Sequence, residues 1–196
     1  MRIQSTQIPR RRAHECHEHK HAHTHSKDGL RVPEAVVDLS HSALEVYAHH
    51  GGNETFVGGA SAAISLLAAA RGVQNFRDGG LEHRIEGFGN LALAASSGMV
   101  AFDTFTESHG HEAHDHSHGH SHGFGVIGAL ECLHGAAEIA VGSMETRRAD
   151  RRAIGLLRIA KGAAAIGSHA IPGAATALQL VHLGTVCALT ALDPRH

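Results

Sequence analysis

The sequence contains very few aromatic residues, with no Trp, one Tyr and six Phe among 196 residues. Strands are enriched in aromatic and β-branched side chains, so this shortage disfavours a β-sandwich or a β-barrel. The apolar share is nevertheless 42%, which is too high for a wholly disordered chain. The composition therefore predicts an all-α protein whose core consists mainly of Ala, Leu, Val, Ile and Gly.

Cysteine is also scarce, and Cys16, Cys132 and Cys187 are scattered without a CxxC pair. The sequence therefore indicates neither a disulfide framework nor a four-cysteine zinc site. The formal net charge is only -2 at pH 7, so we expect no nucleic-acid partner. The sequence gives little positive indication of an enzyme, and we expect no enzymatic activity.

Histidine is the residue in excess, because 21 His outnumber the 17 Lys and Arg together. Thirteen of the histidines fall in two low-complexity tracts that cannot build a core. Flexible, partly neutral imidazoles can converge on Zn, Ni, Co or Cu, so both tracts are predicted to bind metal. The tract residues are His14, His17, His19, His21, His23, His25, His109, His111, His114, His116, His118, His120 and His122.

The tracts also divide the chain. We predict a His-rich disordered tail at 1–32, a first group of three helices at 33–106, a His-rich loop at 107–123 and a second group of three helices at 124–193. The six predicted helices span about 33–50, 55–73, 87–106, 124–145, 153–171 and 173–192. Pro33 suits the first turn of the first helix, and Gly51 suits a position just beyond its end.

The two groups of helices form an internal repeat. The residues Asp38, His41 and Glu45 align with Glu131, His134 and Glu138. The following helices also align, with residues 64–72 over residues 154–162, and the third pair is weaker. We therefore predict a 3+3 architecture in which the second group repeats the first.

Hydropathy alone leaves a membrane location open, because no segment is a clean run of twenty apolar residues. The glycine spacing favours the bilayer, since Gly128, Gly135 and Gly142 recur every seven residues. An interior glycine costs about 1 kcal/mol relative to alanine in a soluble helix, whereas small residues let membrane helices approach closely. We expect an integral membrane bundle, with a soluble Ala-rich bundle as the alternative.

The positive charges indicate an orientation for the six predicted spans. Apart from Arg158 and Lys161, every Lys and Arg lies in or beside the N-terminal tail, 72–86, 146–152 or the C-terminus. The positive-inside rule places these segments, and with them both termini, in the cytoplasm. Arg158 and Lys161 are expected to reach the cytoplasmic interface by snorkelling. Residues 1–32 contain no apolar stretch, so we expect no signal peptide.

Both repeats carry an acid, a His and a Glu at positions i, i+3 and i+7, which places the three side chains on one helix face. Two such faces would offer six ligands to one centre, and these are Asp38, His41, Glu45, Glu131, His134 and Glu138. Mixed imidazole and carboxylate ligands suit Zn, Fe, Mn, Co or Ni. Ionisable groups inside apolar helices destabilise the protein unless they are paired or bound to metal. These residues are therefore the principal site candidates.

Some of these residues can also be interpreted without a metal ion. For the first helix alone, the pattern also fits the solvated face of an amphipathic surface helix, and only the repeat favours a metal centre. His169 and His182 lie in the last two helices and are interpreted as packing residues rather than ligands. His49 and His50 are interpreted as a helix end.

The repeated motif resembles the HxxxD motif of cation diffusion facilitator transporters, in which two transmembrane helices form the zinc site. In that family an acid lies three residues before the motif, and a His-rich loop commonly precedes its second copy. Here His41 to Glu45 and His134 to Glu138 stand in the corresponding places, with Glu instead of the final Asp. The resemblance covers only these motifs and the loop. It implies zinc or a similar divalent ion that is exchanged against protons by alternating access.

These observations predict a divalent transition-metal binding membrane protein, a small transporter or delivery protein. Zinc is the first expectation, and nickel, cobalt, copper, iron or manganese would also fit. A soluble or membrane-associated metal storage or chaperone bundle with His-rich arms is the main competing hypothesis. A dinuclear oxidase based on the ExxH of Glu131 and His134 and a membrane scaffold that responds to pH are two weaker hypotheses. Close small-residue faces are compatible with a homo-oligomer.

Overall fold

The computed structural model describes residues 32–107 and 125–193, and within these ranges the chain forms helices and short connections without a strand. The helices are α1 (Glu34–His49), α2 (Glu54–Asp78), α3 (Leu81–Glu107), α4 (Val126–Glu145), α5 (Arg152–Ala170) and α6 (Ala175–Leu192), with a 3-10 turn at Pro172–Ala174. The predicted all-α class with six helices is confirmed for this part of the chain. Both histidine tracts lie outside it.

The connection between α2 and α3 is shorter than the sequence suggests. Residues 72–86 are predicted as a cytoplasmic segment, but α2 continues to Asp78 and α3 begins at Leu81. Gly79 and Gly80 make the turn with positive φ angles of 72° and 82°. Glycine adopts this left-handed conformation at little cost, so two residues suffice to reverse the chain. The basic residues of this segment therefore lie on helix ends.

The six helices form a closed ring. Each helix packs against its neighbours in the chain, and α6 also packs against α1. The contacts between α2 and α3 show that these helices are antiparallel, because Gly58 faces Thr104 while Gly72 faces Gly87. The short connections that join α1 to α2, α4 to α5 and α5 to α6 impose the same arrangement on these pairs. In this ring α1 lies opposite α4, with the bundle axis between them.

The helices α4 and α5 touch each other through their backbones. Gly135 faces Gly162, and a Cβ atom on Gly135 would lie 2.8 Å from the carbonyl oxygen of Gly162. Gly142 faces Gly155 in the same way, at 2.6 Å. Side chains larger than hydrogen cannot fit at these positions unless the helices move apart. The seven-residue glycine spacing in α4 therefore corresponds to a close helix interface.

The burial pattern is the reverse of that in a water-soluble bundle. The buried set within the described ranges contains more polar and charged residues than apolar ones. Large apolar side chains lie on the outside, where Leu66 is 74% exposed, Phe102 68% and Phe88 64%. Water-soluble proteins seldom expose large contiguous apolar patches. An exterior of this kind suits contact with lipid.

Three helices, α2, α4 and α6, are long and apolar enough to cross a membrane. The helices α1 and α5 are less apolar because they carry ionisable residues that point into the ring, such as Asp38 on α1 and Lys161 on α5. Length and composition thus permit a membrane bundle whose polar groups are gathered around its axis.

Replacing Gly162 with Ala should destabilise the protein, because the new Cβ would collide with the backbone of Gly135. Overpacking of this kind typically costs about 1–3 kcal/mol. Gly184→Ala in α6 is the matched control, since an added Cβ there meets no atom within 4 Å. Thermal unfolding followed by circular dichroism would measure both variants. Equal unfolding midpoints for the two variants would contradict the close approach of α4 and α5.

Candidate metal centre

Ionisable side chains fill the axis of the ring. On α1, Glu34, Asp38 and His41 follow one another at helical spacing and are all buried. A residue three or four positions along a helix lies on the same face, so the spacing forms one continuous polar stripe. The opposite helix α4 presents a second stripe, which includes the buried residues Glu131 and Glu138. The two stripes face each other across the axis.

The side chains of His41, Glu45 and Glu131 meet in this axis. One ligand atom of each residue lies within 4.8 Å of the other two. Nε2 of His41 is 3.6 Å from Oε1 of Glu45 on the same helix, and Glu131 reaches them from α4. A metal ion bound at about 2.0–2.2 Å from each ligand atom would need only small side-chain adjustments to contact all three.

Two further histidines face the carboxylates of this group. Nε2 of His169 on α5 is 2.5 Å from Oε2 of Glu131, and Nδ1 of His182 on α6 is 3.8 Å from Oε2 of Glu45. The sequence interpretation treats both as packing residues, whereas the structure places each beside an acid. The signal is present in the sequence, because an ionisable residue inside an apolar helix is by default a site candidate. We call these five residues the His/Glu centre.

The six predicted ligands do not all converge on one point. Asp38 and Glu138 instead hold the ammonium group of Lys161, which is completely buried. Lys161 Nζ donates to Oδ2 of Asp38 and lies 3.2 Å from Oε1 of Glu138. The sequence repeat correctly predicts which faces of α1 and α4 point into the ring. It does not reveal that Lys161 from α5 lies between these faces.

Arg158 forms the centre of a second charged group in the axis. Its guanidinium lies near four carboxylates, at 3.2 Å from Glu34, 2.9 Å from Glu86, 3.4 Å from Glu138 and 3.3 Å from Glu145. The expectation that Arg158 and Lys161 snorkel to the cytoplasmic interface is therefore wrong. Both point into the ring because unpaired buried carboxylates would cost several kcal/mol each, and a nearby cation offsets that penalty.

A third charged group closes the same end of the bundle. Arg151, which precedes α5, lies 2.7 Å from Glu145 and 2.5 Å from Asp193 after α6. Burial alone would lower the pKa of the Arg151 guanidinium, but the two carboxylates outweigh this effect and raise the pKa above its ordinary value. Arg151 therefore remains charged and joins the start of α5 to the end of α6.

His134 lies in the axis without a hydrogen bond to the described part of the chain. Its side chain is on α4, and the residue is only 4% exposed. Neither Nδ1 nor Nε2 has a hydrogen-bond partner within residues 32–107 and 125–193. A buried polar group in this state costs about 1–3 kcal/mol. The imidazole of His134 is thus a binding group that the surrounding helices do not use.

The predicted ligands of the two tracts lie outside the described residues. They are the tail residues His14, His17, His19, His21, His23 and His25 and the loop residues His109, His111, His114, His116, His118, His120 and His122. The loop joins the end of α3 to the start of α4, and Glu131 lies in the second turn of α4. The second tract is therefore attached close to the His/Glu centre along the chain.

No family model matches this chain, and no similar curated protein or solved structure was found. The interpretation of the His/Glu centre rests on its own chemistry. The resemblance to cation diffusion facilitators stays a prediction that depends on the two short motifs in α1 and α4.

Replacing Arg158 with Met should lower the free energy of unfolding by about 3–5 kcal/mol, because buried carboxylates would lose their cation. Arg148→Met is the matched control. Arg148 also contacts an acid, Glu82, at 2.5 Å, but the two side chains are 49% and 27% exposed. An exposed pair contributes less than about 1 kcal/mol. Equal losses in the two variants, measured by chemical denaturation, would refute a structural role for the buried arginine.

Proposed function

We propose that this protein is a small integral membrane protein that binds a divalent transition-metal ion in its axis and moves or delivers it. The proposal rests chiefly on one observation, the approach of the ligand atoms of His41, Glu45 and Glu131 to within 4.8 Å of one another. Zinc is the ion that we propose first. The His/Glu centre would hold the ion during its passage.

The chemistry of the centre supports a metal ion as the ligand. Glu45 and Glu131 bring two carboxylates together from opposite helices, and a divalent cation would neutralise both. His41, His169 and His182 surround them with imidazole nitrogens. Calcium and magnesium prefer oxygen ligands alone, whereas a mixed imidazole and carboxylate set suits zinc and its neighbours. The donor set therefore favours a transition metal.

The distribution of apolar residues supports a membrane location. The outside of the ring carries exposed large apolar side chains, and three helices are long and apolar enough to span a bilayer. The inside carries the charged groups, as expected for a protein that offers an ion a path through lipid. We further propose that both termini are cytoplasmic, because the Lys and Arg residues follow the positive-inside rule with six spans.

The histidine tracts would collect the ion and supply it to the centre. They contain thirteen of the 21 histidines, which exceeds the number that one ion could use. Imidazole is partly neutral at pH 7 and is a common ligand of transition metals, so the tract histidines can hold such an ion. The loop tract precedes α4 along the chain, and Glu131 lies in the second turn of that helix. We propose that the tracts act as donors and the centre as the transit site.

Membrane integration can be tested by fractionating cells that express the protein. We expect the full chain in the membrane fraction, resistant to extraction by alkaline carbonate and released only by detergent, because its outer surface is apolar. Immunodetection of the chain in each fraction is the measurement. Full recovery in the aqueous fraction without detergent would refute the membrane location and favour a soluble storage or chaperone protein.

The transit site can be tested in a full-length chain whose thirteen tract histidines are replaced by Ser, which we call the tract-silent chain. We expect it to retain about one equivalent of Zn²⁺. Adding Glu131→Gln should weaken this binding by at least about tenfold, because the substitution removes a carboxylate ligand. Isothermal titration and elemental analysis would measure affinity and stoichiometry.

His50→Ala in the tract-silent chain is the control, because His50 is exposed at the end of α1 and lies outside the centre. Its Zn²⁺ affinity should equal that of the parent. A folded tract-silent chain that retains no metal would show that the His/Glu centre is not a metal site. Zn²⁺ uptake into vesicles containing the reconstituted protein would then separate transport from storage for a chain that does bind.

A further inference from the structure

The axis contains a second group with the same composition as the core of the His/Glu centre. The centre takes His41 and Glu45 from α1 and Glu131 from α4. In the aligned motifs, His41 corresponds to His134, Glu45 to Glu138 and Glu131 to Asp38. Replacing each residue of the centre by its aligned partner on the other helix gives a second set, which takes two residues from α4 and one from α1. Each group thus has one imidazole and two carboxylates. The ligand atoms of the first group lie within 4.8 Å of one another, whereas the second group does not meet this limit and has Lys161 against both of its acids. The two helices lie opposite each other, so the two groups follow one another along the axis.

A cation already occupies the second group. The ammonium group of Lys161 contacts both Asp38 and Glu138 and is completely buried. His134 is buried and lies four residues before Glu138 on α4, which places the two residues on the same face of that helix. The second group therefore differs from the first in having a positive charge that belongs to the protein itself.

The ammonium group of Lys161 does not engage every polar atom near it that could bind a cation. It contacts the two carboxylates, but neither nitrogen of His134 has a hydrogen-bond partner among the described residues. Glu138 also lies 3.4 Å from Arg158, a cation that it shares with three other carboxylates. A divalent ion would accept the lone pair of the imidazole and balance both acids.

We propose that Asp38, His134 and Glu138 form a second site for a divalent transition-metal ion, and that the ammonium group of Lys161 is its exchangeable resident cation. Displacement moves the charged lysine side chain away from the two carboxylates and requires no covalent step. Asp38 lies three residues before His41 on α1, so the two sites are separated by about one helical turn, ~5 Å along the axis. The existence of this site rests on the contacts of Lys161, and only the class of ion rests on the proposed function.

The test uses the tract-silent chain with Lys161→Met, which keeps the length of the side chain and removes its charge. We expect one additional equivalent of Zn²⁺, bound at least about tenfold more tightly than any second equivalent in the parent. Adding His134→Ala to Lys161→Met should abolish the additional equivalent. Lys161→Arg, which keeps the charge, should retain the parent stoichiometry. Isothermal titration and elemental analysis are the measurements.

A folded Lys161→Met variant with the parent stoichiometry would overturn the proposal, and so would an additional ion that persists without His134. If the variant unfolds without metal, Zn²⁺ should raise its thermal midpoint far more than that of the variant that also lacks His134. Equal responses to Zn²⁺ in these two variants would likewise overturn it. Lys161→Met combined with Glu131→Gln separates the two sites, because failure of the His/Glu centre leaves the ion bound at Asp38, His134 and Glu138 unaffected.

Discussion

The interior of this bundle depends on charge compensation between α5 and the helices around it. Carboxylates from α1, α3 and α4 lie within the ring, and they can do so because α5 brings Arg158 and Lys161 into the same space. Lys161 binds Asp38 on α1 and Glu138 on α4 at the same time. This pairing fixes the positions of α1 and α4 relative to each other along the axis, although these two helices share no backbone contact. The His/Glu centre lies next along the axis, where histidines take the place of Arg158 and Lys161.

Close packing makes this arrangement possible. The glycines of α4 and α5 bring their backbones together, so that a buried Lys161 can reach across to α1. Small residues at the helix contacts and long ionisable residues at the axis therefore have complementary roles. The small residues narrow the ring, and the long ionisable residues fill it with groups that interact over a few ångströms. Apolar side chains are left to form the outer surface, which is the opposite of their usual place in a soluble protein.

Local patterns predict the helices better than the contacts between them. Pro33 and Gly51 indicate the limits of α1, and the repeated motif identifies the inward faces of α1 and α4. The pairing of Lys161 with Asp38 joins residues 123 positions apart, and no local pattern reveals such a contact. The approach of His169 to Glu131 escapes prediction for the same reason. The turn at Gly79 escapes it because nearby basic residues suggest a longer exposed segment, while two glycines are sufficient.

The backbone contact between α4 and α5 has a consequence for motion. Two helices whose backbones touch through glycines cannot approach further and lose close contacts when they separate, so this pair is expected to move as one rigid body. Any opening that admits an ion to the axis is then expected at other joints of the ring. The helix α1 has 16 residues and is the shortest α-helix in the described ranges. Its boundaries with α2 and α6 are therefore the places where we expect the ring to hinge.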